Sequence, residues 1–195
     1  MVNIAVFASG SGTNFENIVR RIQDQSLHHV TCAILIVDHD DAGAIERAKM
    51  LHIPYQFVNP KEFANKEAYE TSILQILTER KVDLIVLAGY MRYIGTVLLA
   101  AYPQRIMNIH PAYLPSFPGA HGIRDAYEAK VPCTGVTVHY VDEGVDTGAI
   151  IDQRKLPIDP KWSLEQLEEH VHALEYELFP HVIQRVVDQI EEENR

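Results

Sequence analysis

The sequence predicts an α/β protein: a single domain on a doubly wound, mostly parallel sheet, with a C-terminal hairpin and a long terminal helix. Three observations carry this. Apolar runs of strand length alternate with segments of helical periodicity up to residue 110. The runs at 2–8, 30–37 and 83–88 are apolar almost throughout, as strands buried on both faces are. The turn Ser9-Gly10-Ser11-Gly12 joins the first run directly to a helical pattern, giving a Rossmann-like strand–turn–helix unit.

The elements follow in order. Val2–Ala8 is the first strand. Thr13-Asn14-Phe15-Glu16 has the form of a capping box, with Thr13 as N-cap and Glu16 three residues on. Phe15, Ile18, Val19 and Ile22 continue at helical spacing. Residues 30–37 form the second strand. Asp41-Ala42 opens a helix to about Leu51, and residues 54–58 make a short third strand. Asn59-Pro60-Lys61-Glu62 reads as the start of one helix reaching about Arg80, with Asn as cap, Pro in the first position and Tyr69, Ile73, Ile76 and Leu77 on one stripe. Residues 83–88 are the fourth strand and, after a short helix, 105–110 the fifth. Residues 134–141 and 149–153 pair as a hairpin across the acidic loop ending Asp146-Thr147-Gly148. Ser163-Leu164-Glu165-Gln166 is a second capping box and opens the last helix, which Pro180 should kink or split.

The bulk numbers narrow the function classes. At 195 residues, 47% hydrophobic and 23% charged, the chain folds as one domain, 1–195, rather than staying disordered. Acids outnumber Lys and Arg 27 to 17, a net charge of −10, which argues against a nucleic-acid partner. Cys32 reads as a small core residue and Cys133 as a loop residue, as expected in a reducing cytoplasm. No apolar run approaches the roughly 20 residues needed to span a bilayer, and Met1 leads into a strand rather than a signal sequence. A cytoplasmic protein is expected.

Asn108-Ile109-His110-Pro111 carries the chemistry. A strand alternates faces, so Asn108 and His110 point the same way, and Pro111, without an N–H, ends the strand. An amide and an imidazole then lie at the carboxyl end of a core strand, where open α/β sheets bind ligands. Asn can donate to an oxyanion and His can move a proton near neutral pH, so the pair points to group transfer at a carbonyl. The alternative is a structural, hydrogen-bonded histidine. Asp146 is either a solvated turn acid or folds back beside His110 and favours its charged form. The Ser9–Asn14 turn suits a phosphate monoester at a helix N-terminus, or is a plain tight turn. Phe15 stands where a dinucleotide loop has its third glycine, and the lysine of a P-loop is missing. Glu175 shares a helix face with Val171 and Leu178 and needs either an ion-pair partner or a ligand. Leu87-Ala88-Gly89-Tyr90-Met91-Arg92-Tyr93 lines either a slot for a flat ring or the core. His28-His29 and His170/His172 lack metal-ligand spacing; His110, His121 and His139 could meet in space, His121 and His139 as supporting or surface residues, but no metal is expected.

Asn108-Ile109-His110-Pro111 with Leu114-Pro115 and Pro118-Gly119 resembles the signature of the formyltransferases that use 10-formyltetrahydrofolate. The Ser9–Asn14 turn, Leu87-Ala88-Gly89-Tyr90-Met91-Arg92 and Asp146-Thr147-Gly148 are similar to the branch whose acceptor is glycinamide ribonucleotide, in purine synthesis. The resemblance implies the formyltransferase fold, with a nucleotide- and phosphate-binding half at 1–100 and a folate-binding and catalytic half at 101–195. It implies that Asn108, His110 and Asp146 are catalytic. Gly12, Thr13, Asn14 and Glu175 would bind the ribonucleotide, and Lys66, Met91, Arg92, Tyr93, Ile94 and Asn108 the folate. Lys66 stands where some relatives have Arg, which makes that contact a point charge. Formyltetrahydrofolate hydrolases and methionyl-tRNA formyltransferases are disfavoured, since Met1 leads almost directly into the first strand and the last residues are acidic.

Overall fold

The computed structural model describes residues 1–194. Its strands are β1 (Val2–Ala8), β2 (Val30–Val37), β3 (Tyr55–Phe57), β4 (Leu84–Leu87), β5 (Ile106–His110), β6 (Cys133–Tyr140) and β7 (Ile150–Pro157). Its helices are α1 (Thr13–Gln23), α2 (Gly43–Met50), α3 (Lys66–Glu79), α4 (Thr96–Ala101), α5 (Gly122–Glu128) and α6 (Leu164–Glu193). The strands form one sheet in the order β3-β2-β1-β4-β5-β6-β7. β1 to β5 pair in parallel, while β6 and β7 add as an antiparallel hairpin. The strand order reverses between β1 and β4, which opens a crevice at their carboxyl ends. There the two loops are tied together: Ser9 N donates to Gly89 O at 3.0 Å and Met91 N to Ser9 Oγ at 2.9 Å.

Alternation along the strands divides the core into two layers. Ile4, Val6, Leu35, Val86, Met107 and Val138 face α1, α2 and α6. Ala5, Phe7, Ile36, Ile85 and Leu87 face α3 and α4. The second layer reaches only as far as Ile106 of β5 among the buried residues. Beyond it, the same face of β5 and β6 carries the polar side chains Asn108, His110, Thr137 and His139, roofed by loops instead of a helix.

Several local expectations change. Gly12, at φ 75°, is the N-cap of α1, and no side chain caps it. Thr13 is already helical, and Glu16 bonds Arg20 and Arg47 instead of closing a capping box. The helix expected from Asn59 is two elements. Asn59 caps a single 3₁₀ turn, Pro60–Glu62; the chain then extends at Phe63, and Asn65 caps α3 by accepting from Ala68 N at 2.8 Å. β7 runs on to Pro157, because Arg154 and Lys155 suit an exposed edge strand although they hide its pattern. α5 had no periodic stripe to announce it.

Pro180 does not split α6. A proline has no N–H for the carbonyl four residues earlier, so Tyr176 O is left without its helical donor. Asn17 Nδ2 of α1 donates to that oxygen at 3.0 Å, and Arg21 Nη2 approaches at 3.4 Å. The gap made by the proline thus becomes a latch between the two helices. Asn17→Ala is expected to cost about 1–2 kcal/mol, the price of an orphaned carbonyl. That lowers the melting temperature by roughly 3–6 °C in a domain of this size. The loss should shrink in a Pro180→Ala background, where the helix supplies its own donor; equal losses in both backgrounds contradict the latch.

Candidate active site

The β5–β6 register sets Asn108 opposite His139 and His110 opposite Thr137. Loop 111–121 is strapped over this patch by Thr137 and Gln153. Thr137 Oγ1 donates to Ala112 O at 2.8 Å and accepts from Leu114 N at 3.1 Å; Gln153 Nε2 donates to Leu114 O at 2.7 Å. Asp146 folds back from the β6–β7 loop onto the same patch. Its Oδ2 accepts from Gly119 N at 2.8 Å and lies 3.5 Å from His110 Nδ1, while Oδ1 lies 3.4 Å from His139 Nε2. Burial alone would raise the Asp146 carboxyl. The imidazoles beside it and the Gly119 N–H outweigh burial and hold the carboxyl below its ordinary value.

His110 is almost fully enclosed, at 3% exposure. Its Nε2 donates to Phe117 O at 2.8 Å, so both ring nitrogens are engaged. Gly122 closes against it: a Cβ there would sit 3.2 Å from His110 Nε2. Phe117 and Asp146 both hold positive φ, 55° and 54°, which is uncommon outside glycine. The two strained residues are the ones that bring a carbonyl and a carboxylate to His110.

The glycine turn is shaped by α2. Ala44 N donates to Gly10 O at 3.1 Å and Arg47 Nε to Ser11 O at 2.7 Å, so these turn carbonyls are spent on that side. The first N–H groups of α1 have no intrahelical acceptors and, with the helix dipole, favour negative charge there. Only glycine fits at position 12, where a Cβ would lie 2.5 Å from Ala44 Cβ.

Glu175 has two partners within the fold. It is buried, and its Oε2 accepts from Asn14 Nδ2 at 3.1 Å and pairs with His172 Nδ1 at 2.8 Å. Asn14 Oδ1 is buried without a hydrogen-bond partner. Glu175 thus holds the residue that follows the glycine turn, and His172 balances its charge. The hydrogen bond to Glu175 raises the His172 pKa above its ordinary 6.5, against the effect of burial. A raised folded value stabilises below the unfolded value and is lost as pH rises through the folded one. Thermal unfolding of His172→Gln should therefore show its largest deficit below pH 6.5, shrinking at alkaline pH; a pH-independent deficit would contradict the pairing.

Lys66, Met91, Arg92, Tyr93 and Ile94 line one cavity of about 580 Å³; Asn108 is not among its lining residues and belongs to the His110 cluster. Met91 and Tyr93 are exposed, Ile94 is buried, and Lys66 is a solvated ammonium. Arg92 donates from Nε to the buried Asp38 at 3.0 Å and sits over the Tyr69 ring. The Tyr69 and Tyr90 hydroxyls bond each other at 2.7 Å, and burial raises both phenols. The cavity has apolar and aromatic walls, with Lys66 and Arg92 and the acids Asp38 and Glu70 among its lining residues.

Phe117, Gly122 and Asp38 carry no site role in the sequence; His139 is left open there to reach the site, Gly119 enters only through the Pro118-Gly119 signature, and His172 only as lacking metal-ligand spacing. The period-two spacing of Thr137 and His139 would have shown a shared face, but only the hairpin register sets His139 against Asn108. His121 is exposed just before α5. No group of three or more His, Cys, Asp or Glu side chains that could hold a metal is present among the described residues.

Residues 2–183 match the family model described as formyl transferase. The chain is 46% identical over 187 residues to the phosphoribosylglycinamide formyltransferase of Bacillus subtilis, covering 96% of this chain and 95% of that one. It superimposes with a TM-score of 0.93 on glycinamide ribonucleotide transformylase 1 from Geobacillus kaustophilus, at 49% identity over 96% of this chain and 99% of that one. Against the phosphoribosylglycinamide formyltransferase of Streptococcus pneumoniae the TM-score is 0.90, at 45% identity over 95% and 99% of the two chains. With this similarity running nearly the full length of the chain, through the crevice loops and the β5 cluster, the protein belongs to the formyl transferase family, in its phosphoribosylglycinamide formyltransferase branch.

Proposed function

We propose that the protein transfers a formyl group from 10-formyltetrahydrofolate to the amine of glycinamide ribonucleotide. The products are formylglycinamide ribonucleotide and tetrahydrofolate, a step of de novo purine synthesis. The observation that carries this reading is the Asn108, His110 and Asp146 cluster at the carboxyl end of β5 in a chain of this family. The α1 N-terminus with Gly12, Thr13 and Asn14 takes the phosphate, and Glu175 steadies Asn14. The cavity lined by Lys66 and Met91 to Ile94 receives the folate, with Asn108 at the reacting end. Residues 1–100 supply chiefly the phosphate cradle and residues 101–195 the catalytic cluster, with folate contacts drawn from both. The protein works in the cytoplasm on small molecules, as a monomer or homodimer; no described helix is long and apolar enough to cross a membrane.

Attack of the amine on the formyl carbon forms the new C–N bond and leaves an oxyanion. The Asn108 amide N–H and the His110 imidazolium stabilise it, each such donor being worth about 3 kcal/mol. Asp146 holds His110 in place and balances its charge. Phe117 O, which His110 Nε2 now bonds, yields that N–H to the oxyanion. Collapse breaks the C–N bond to the folate, and the proton lost by the amine ends on the leaving nitrogen. The test is a formyl-transfer assay on purified protein with 10-formyltetrahydrofolate, with and without glycinamide ribonucleotide. Formyl loss only with the ribonucleotide is the expected result. Loss without it would make the protein a hydrolase, and no turnover from folded protein would overturn the acceptor.

A further inference from the structure

We infer that His139 is a positioning residue for the transfer, orienting the Asn108 amide that serves the oxyanion. This rests on the formyl-transfer reading above. The two residues face each other across the β5–β6 ladder, and His139 is enclosed at 2% exposure. Its Nδ1 lies 2.8 Å from Tyr140 O. A carbonyl only accepts, so Nδ1 carries the proton, and in the neutral ring Nε2 is left as an acceptor. Asn108 Nδ2 lies 3.2 Å from that Nε2. A flipped amide would turn its oxygen toward the Nε2 lone pair and the Asp146 carboxylate, which is 3.4 Å from the same nitrogen. The neutral ring thus keeps the NH₂ end of Asn108 on the side of the catalytic cluster, where the oxyanion forms.

The titratable groups grouped with this ring are Asp146 directly and His110 beyond it.

His139→Leu, His139→Gln, Asn108→Ala and the Asn108→Ala/His139→Leu double variant test this in the transfer assay, each checked for native melting. His139→Leu is expected to lower kcat by about 100-fold, the loss of one oxyanion donor, with KM for both substrates within about threefold of wild type. His139→Gln, whose Oε1 accepts from the same amide, should recover to within about tenfold of wild type. In the Asn108→Ala background, His139→Leu should add less than about twofold. Gln as poor as Leu, or losses that multiply in the double variant, would overturn the inference. Loss in Asn108→Ala with none in His139→Leu would overturn it alone, whereas full activity in Asn108→Ala would overturn the oxyanion role of Asn108 itself. A measurement without substitution is the ¹⁵N spectrum of the histidine rings in the wild-type protein. His139 is expected as the Nδ1–H tautomer at mildly alkaline pH; an Nε2–H tautomer there would overturn the inference.

Discussion

His110→Asn is expected to lower kcat by about 10³-fold while the protein stays folded, since the variant loses both an oxyanion donor and the ring paired with Asp146. The imidazole spans two partners, Phe117 O at 2.8 Å through Nε2 and Asp146 at 3.5 Å through Nδ1. The shorter Asn side chain reaches one at most. The buried partner left behind costs about 1–3 kcal/mol, so melting should fall as well, and the activity of the variant is to be measured well below its own midpoint. KM for the ribonucleotide should change little, because the proposed phosphate cradle lies at the α1 N-terminus, with Glu175 of α6 behind it. A folded His110→Asn enzyme within tenfold of wild type would remove His110 from the mechanism.

Asp146→Asn is the second large effect, with kcat expected to fall by about 10²–10³-fold, in line with removal of a charge that orients a catalytic histidine. The amide oxygen still accepts from Gly119 N–H, so the loop keeps its anchor while the charge beside His110 and His139 disappears. The pH dependence separates this from a folding defect. The Asp146 carboxyl sits below its ordinary value of 3.8 in the folded protein. A depressed value gives stability that is present above the unfolded value and is lost as pH falls through the folded one. The stability difference between wild type and Asp146→Asn should be constant near neutrality and shrink in acid. A difference that grew as pH fell, or a variant with full activity, would contradict the assignment.

Periodicity carried the sheet. Val2–Ala8, Val30–Val37 and the β4 run are apolar because both faces are covered, and that leaves a plain mark in the residues. Asn108 and His110 were legible for the same reason, since alternation in a strand dictates which side chains share a face. The α6 capping box was legible because it is local, and it forms as written: Ser163 Oγ accepts from Gln166 N. Thr13 failed by the same local rule. Close approach of Ala44 demands glycine at position 12, and a left-handed glycine takes over the cap.

By itself the sequence determined the strand–helix alternation, the turn at Ser9–Gly12, and an amide and an imidazole side by side on β5. These are properties of neighbours in the chain, set by backbone geometry and apolar spacing. Only the tertiary structure decided that Asp146, 36 positions further on by its number, lies against His110, that His139 faces Asn108, and that Asn17 answers the carbonyl stranded by Pro180. Those contacts depend on hairpin register, loop path and helix docking. Packing of the whole chain sets all three, and no single stretch of residues encodes them.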